Sequence, residues 1–203
     1  MATYRIGTYQ GVCIECWTPK ELVGLHSLLK QEGCPDSENV FSDNDKAIEL
    51  DDVQRKISQK HHTDKKASAD ILIHTNNNKL LLADAKYRVN NIRNLDSKEL
   101  SKKIFESKAI VKSDHSFLPN LYILMKSQAL TQANLNAVRR MFANKPNYQV
   151  MDTIAFHNLF EEQLRRVHLC SMEISWEKIE NTRYYCGGEN LPVRLYNPTM
   201  CCL

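Results

Sequence analysis

Two apolar runs separated by three asparagines constrain this 203-residue chain more than any other feature. Ala69-Asp70-Ile71-Leu72-Ile73-His74 leads into Asn76-Asn77-Asn78, and Lys79-Leu80-Leu81-Leu82-Ala83-Asp84-Ala85-Lys86 leads away. Asparagine tolerates the left-handed backbone of a tight turn, so the segment predicts two antiparallel strands. With 76–78 as the loop, Thr75 pairs with Lys79, and counting outward sets Asp70 opposite Asp84. Cross-strand partners have Cβ atoms about 5 Å apart, where like charges repel. A divalent cation between them would reverse that penalty. Side chains alternate along a strand, so Lys86 shares the face of Asp84 and Ala85 offers its backbone carbonyl. Hard oxygen donors of this kind suit Mg²⁺, which keeps positions for water and phosphate. A loop of two or four residues would instead put Asp70 opposite Ala85 and send the acids to opposite faces.

Asp70 followed by Asp84-Ala85-Lys86 at the end of the next strand resembles the signature of the PD-(D/E)xK nuclease superfamily, with Ala69 where the proline usually stands. The resemblance spans roughly residues 45–126. It implies a restriction-endonuclease-like α/β fold, a mixed sheet flanked by helices. It also implies that Asp70 and Asp84 bind metal, with the Ala85 carbonyl, and that Lys86 positions or activates the attacking water. Nucleases of this superfamily often take a further acid from the helix before the sheet, and Glu49 is the candidate. The cofactor implied is Mg²⁺, with Mn²⁺ as a substitute.

An acid-x-Lys triplet alone carries little information, because Asp64/Lys66, Asp96/Lys98 and Glu106/Lys108 share the spacing. Only Asp84/Lys86 ends an apolar strand with an acid opposite. Charge supports the distinction. Residues 55–112 hold 14 Lys and Arg against six acids, a local charge of +8 in a chain of net charge +3. Such charge around a metal site supplies sequence-independent affinity for a phosphate backbone; the alternative is a solvated basic face, against which its co-location with the acid pair favours binding. Lys65, Lys66, Arg88 and Arg93 are the candidate phosphate contacts. The expected partner is nucleic acid, DNA before RNA, and cutting both strands of a duplex would favour a homodimer.

Around this centre the chain predicts one domain, with residues 1–42 an N-terminal elaboration, 43–169 an α/β core and 170–203 a C-terminal appendage. A strand is expected at Tyr4 to Tyr9. Thr18, Pro19 and Glu21 form a capping box that predicts a helix to Gln31, stopped by Gly33. A second helix is expected from about Lys46 to Lys60, on which Glu49 lies about 40° from Val53, inside the apolar arc. His61-His62 fall in a basic connection, able to contact phosphate but simpler as solvated linker. Asp96 with Glu99 begins a helix to about Val111, whose lysines Lys98, Lys102, Lys103 and Lys108 cover several faces. Leu121 to Met125 reads as a buried central strand. A helix capped by Thr131, a strand at Tyr148 to Met151 and a helix from about Thr153 to Leu169 complete the alternation of an α/β sandwich.

No apolar run approaches the length of a membrane span, and the N-terminus lacks a signal-peptide apolar region, so a cytoplasmic setting is expected. Seven cysteines without regular spacing fit a reduced compartment. Cys13 and Cys16 have half a zinc-site spacing, but no second pair accompanies them. The absence of a Gly-x4-Gly-Lys-Ser/Thr loop excludes an ATP motor of that type. The reading is Mg²⁺-dependent phosphodiester hydrolysis, an endonuclease of restriction, repair or mobile-element type. The alternatives are a non-catalytic nucleic-acid-binding or protein-interaction module on the same fold, and a thiol-dependent hydrolase.

Overall fold

The computed structural model describes residues 6–143 and 147–160. Its strands and helices, in chain order, are β1 (Val12–Ile14), β2 (Val23–Gly24), α1 (Leu25–Gln31), β3 (Lys46–Glu49), α2 (Leu50–His61), β4 (Ile71–His74), β5 (Lys79–Ala85), α3 (Ser97–Ile110), β6 (Val111–Ser113), β7 (Ser116–Leu124), α4 (Gln132–Met141), β8 (Tyr148–Met151) and α5 (residues 153–160). Six strands form one sheet in the order β2-β3-β4-β5-β7-β8, while β1 and β6 pair separately. From β2 to β5 the sheet is an antiparallel meander. From β5 through β7 to β8 it is parallel, the crossovers carrying α3 and α4.

The mixed α/β architecture is therefore as expected. β4 and β5 read as nearly unbroken apolar runs because helices cover both of their faces. On one face Ile48, Leu72, Leu82 and Ile123 pack with Val53 of α2 and Leu100 of α3. On the other, Ile71, Ile73, Leu81 and Ala83 pack with Leu25, Leu28 and Leu29 of α1 and Phe156 of α5. Each Val, Leu, Ile or Phe among them contributes about 1.5–3 kcal/mol on burial.

Two helix boundaries differ from expectation. The Thr18 capping box forms, yet it closes only the 3-10 turn Pro19–Glu21. Val23 and Gly24 are drawn into the sheet against Ala47 and Lys46, and α1 starts afterwards at Leu25. Likewise Lys46–Glu49 is strand, because its pairing with β2 and β4 outweighs local helical preference; α2 begins only at Leu50. The central strand β7 extends back to Ser116. The α3 and α4 caps and the bounds of β8 are as read from sequence. Of the expected strand at Tyr4 to Tyr9, Ile6 makes a single bridge with Thr75. Residues 1–5, the far part of the helix expected to reach Leu169, and the appendage at 170–203 lie outside the described residues.

Candidate active site

The β4–β5 register is the predicted one. Ile71 faces Ala83, His74 faces Leu80, and the Thr75 amide donates to the Lys79 carbonyl at 2.8 Å. Continued by one residue, that register sets Asp70 opposite Asp84. Asp70 Oδ2 accepts from the Ala85 amide at 2.7 Å. Lys86 Nζ lies 2.8 Å from Asp84 Oδ2. A second ammonium, Lys103 Nζ, sits between the acids, 2.5 Å from Asp84 Oδ1 and 3.3 Å from Asp70 Oδ1.

Backbone bonds hold each member. The Lys86 amide donates to the Leu124 carbonyl at 2.7 Å, fixing the end of β5 against the end of β7. The Leu50 amide donates to the Asp70 carbonyl at 3.0 Å, and the Ala69 amide to Ser107 Oγ of α3 at 2.8 Å. Asp96 starts α3 by accepting from the amides of Lys98 and Glu99. Lys103 is three residues after buried Leu100 and four before buried Ser107, so it shares their inward face. Sequence alone left open which lysine of this helix reaches the acids. The missing information was the face of α3 that docks, which Leu100 and Ser107 mark.

Asp84 is fully buried, and the Asp70 side chain is 13% exposed. Burial, reinforced by the charge of Asp84, pushes the Asp70 carboxyl up to about 7, against the opposing pull of Lys103. Burial works against the Lys103 charge too, but attraction to Asp84 and Asp70 overcomes it and holds the ammonium above the ordinary lysine range. Two acids and two lysines thus share one low-dielectric site with no net formal charge.

The donor set suits a divalent cation of the Mg²⁺ kind. Two carboxylates converge, and Asp84 Oδ2 is a buried oxygen without a hydrogen bond, the Lys86 ammonium lying near it but outside hydrogen-bonding geometry. Lys103 Nζ holds the space between the two carboxylates. Among the described residues no three His, Cys, Asp or Glu side chains gather as a metal site.

Glu49 does not join the pair. It faces Ile71 across β3–β4, so it leaves the sheet on the side opposite Asp70 and Asp84. Its carboxyl is raised by burial and by Asp52, Asp51 and Glu32. The helical arc that pointed it inward does not exist at residue 49, which ends a strand. Lys65 and Lys66 are engaged with Asp51 and Glu106, at 2.5 and 3.3 Å. Arg88 lines a cleft of about 400 Å³ with Gln31, Glu32, Lys86 and Tyr87. Arg93 is exposed in the turn Ile92–Asn94 that leads to α3. Cys13, Cys16 and Cys34 are free thiols.

No protein-family model, no curated protein and no solved structure matches this chain. The geometry of the site therefore carries the functional argument.

Proposed function

We propose that this chain is a metal-dependent nuclease of the PD-(D/E)xK type, hydrolysing phosphodiester bonds, with DNA the favoured substrate. The observation that carries the reading is Asp70 facing Asp84 at the ends of two paired strands, with Lys86 against the same buried carboxylate. The mixed sheet supports it: antiparallel from β3 through β4 to β5, with β7 returning parallel to β5 after α3 and β6, and helices on both faces.

In this reading Asp70, Asp84 and the Ala85 carbonyl would hold Mg²⁺ or Mn²⁺, which would supply an acidified water and charge stabilisation at the phosphate. The protein's own contribution is orientation. The Ala85 amide aims Asp70 Oδ2 and leaves Oδ1 turned toward Lys103 and Asp84. Lys86, anchored through its amide to Leu124, places a positive charge beside Asp84, where it can orient water and offset charge developing on phosphate oxygens.

The test incubates supercoiled plasmid and single-stranded oligonucleotides with Mg²⁺ or Mn²⁺, comparing wild type, Asp84→Asn and Lys86→Ala, with circular dichroism to confirm folding. Metal-dependent cleavage by wild type, reduced about 10²-fold or more in both variants, is expected. Cleavage unchanged in both, or absent under every condition, overturns the assignment. One observation favours a non-catalytic module instead: Lys103 already bridges both carboxylates, so the cluster is neutralised without a metal. That reading predicts no divalent-cation effect of any kind.

A further inference from the structure

Helix α3 has two faces of different chemistry. Lys103 and Ser107 point in, toward the acid pair and Ala69. Lys98, Lys102, Phe105 and Ala109 are all exposed at positions i, i+4, i+7 and i+11, a line along the outward face. Phe105 is 71% exposed, against 45% for Val40 and 42% for Ile154, the other exposed large apolar residues described. No acid lies on the line. Glu99 and Glu106 flank it, and Glu106 is turned to Lys66.

Lys98 and Lys102 have no ion pair among the described residues, whereas Lys56, Lys60, Lys65 and Lys66 each have at least one. Like charges at i, i+4 weaken a helix, and an aromatic ring in water forgoes its burial. A single occupant removes both costs if it is anionic and carries flat apolar faces. A duplex hides its bases between their neighbours. An unpaired strand presents phosphates and bases together. A membrane surface answers the charge, but Phe105 and Ala109 are the only apolar side chains on the line, too few to seat a helix in acyl chains.

We propose that the outer face of α3 is a track for single-stranded nucleic acid, with Lys98 and Lys102 on the phosphates and the Phe105 ring stacked on a base. The track lies across the helix from the acid pair, so it holds strand flanking the point of cleavage. It rests on the nuclease reading for where the strand leads, but its binding requires neither metal nor turnover.

The test is fluorescence anisotropy in EDTA with a labelled oligothymidylate of roughly 20 nucleotides, longer than one stacking site, and with its duplex. Phe105→Ala should weaken single-strand binding about fivefold or more and duplex binding less, Phe105→Trp should retain it, and Phe105→Leu should not. The pair Lys98→Glu and Lys102→Glu should weaken it further and flatten its dependence on salt. Single-strand affinity unchanged by Phe105→Ala overturns the track, as does a Phe105-dependent affinity for phosphatidylserine vesicles exceeding that for the strand, or Phe105-dependent self-association without strand binding. The two readings fail separately. Phe105-dependent binding without metal-dependent cleavage leaves the track and removes the nuclease; Asp84-dependent cleavage with no effect of Phe105 does the reverse.

Discussion

Asp84 is fully buried, and an unpaired carboxylate so placed would be under heavy pressure from its lost solvation. Lys103 and Lys86 offset that pressure from two directions, one from a helix and one from the strand itself. Their visibility in the sequence differs for that reason. Lys86 follows from strand alternation, a local rule. Lys103 depends on which side of α3 meets the sheet, and the helix is too polar all round for its pattern to say. Glu49 shows the same kind of gap: the helical wheel that points it inward does not hold for a residue that ends β3. At the opposite end of β4, His74 is buried, its Nδ1 accepts the Tyr9 amide at 3.1 Å, and it stacks on His115 at 4.5 Å between centroids. Burial first, and the neighbouring His115 second, lower its pKa. The unfolded chain therefore takes up a proton near pH 6.5 that the folded chain refuses. Stability from this residue is full above that pH and is lost as the pH falls toward the lower folded value. Urea melts at pH 7.5 and 5.5 should show wild type losing more stability on acidification than His74→Gln, and an equal loss in both would refute the assignment.

At the scale of elements, α1 shows how a strong local signal is overridden. The capping box at Thr18 is intact, and Glu21 also pairs with Lys56 of α2, but the chain after it is taken by the sheet. The helix that follows has Gly24 at its N-cap, with no side chain to offer. Asp43 supplies the missing acceptor from 16 residues away, taking the Ser27 amide at 3.0 Å. That amide holds the Asp43 carboxyl below its usual range. A Cβ at 24 would run into the Asp43 carboxylate, so a larger residue there would displace the side chain that caps the helix. Asp43→Ala should lower the thermal midpoint by about 2–4 °C, with Asp43→Asn largely restoring it, as differential scanning calorimetry would show. By contrast the caps of α3 and α4 were legible because Asp96 and Thr131 act on amides two or three residues away, within the reach of a sequence pattern.

For the whole molecule, the separate parts of the sheet converge on one place. The ends of β5 and β7, the start of β4 and the inner face of α3 meet at the acids. A cation held there would bind the folded chain alone and stabilise it by mass action, by about 2.7 kcal/mol at a hundredfold excess over its dissociation constant. Calcium, added up to millimolar concentrations, should raise the thermal midpoint of wild type but not of Asp84→Asn, with EDTA reversing the effect. No shift in wild type would count against a metal site. The hairpin was legible from alternation and turn chemistry, and the buried central strand from its continuous apolar run, whereas the convergence of α3 is a property of packing. The hairpin that supplies both acids has a further use. Its loop, Asn76 to Asn78, is exposed, and Thr75 and Lys79 clasp the strands below it through the 2.8 Å backbone bond. The clasp at Thr75 stands about 17 Å along the strand from Asp70, and the tip lies beyond it. An inserted epitope or fluorophore at Asn77 would therefore report on the protein from beyond the clasp, leaving the register that opposes the two aspartates in place.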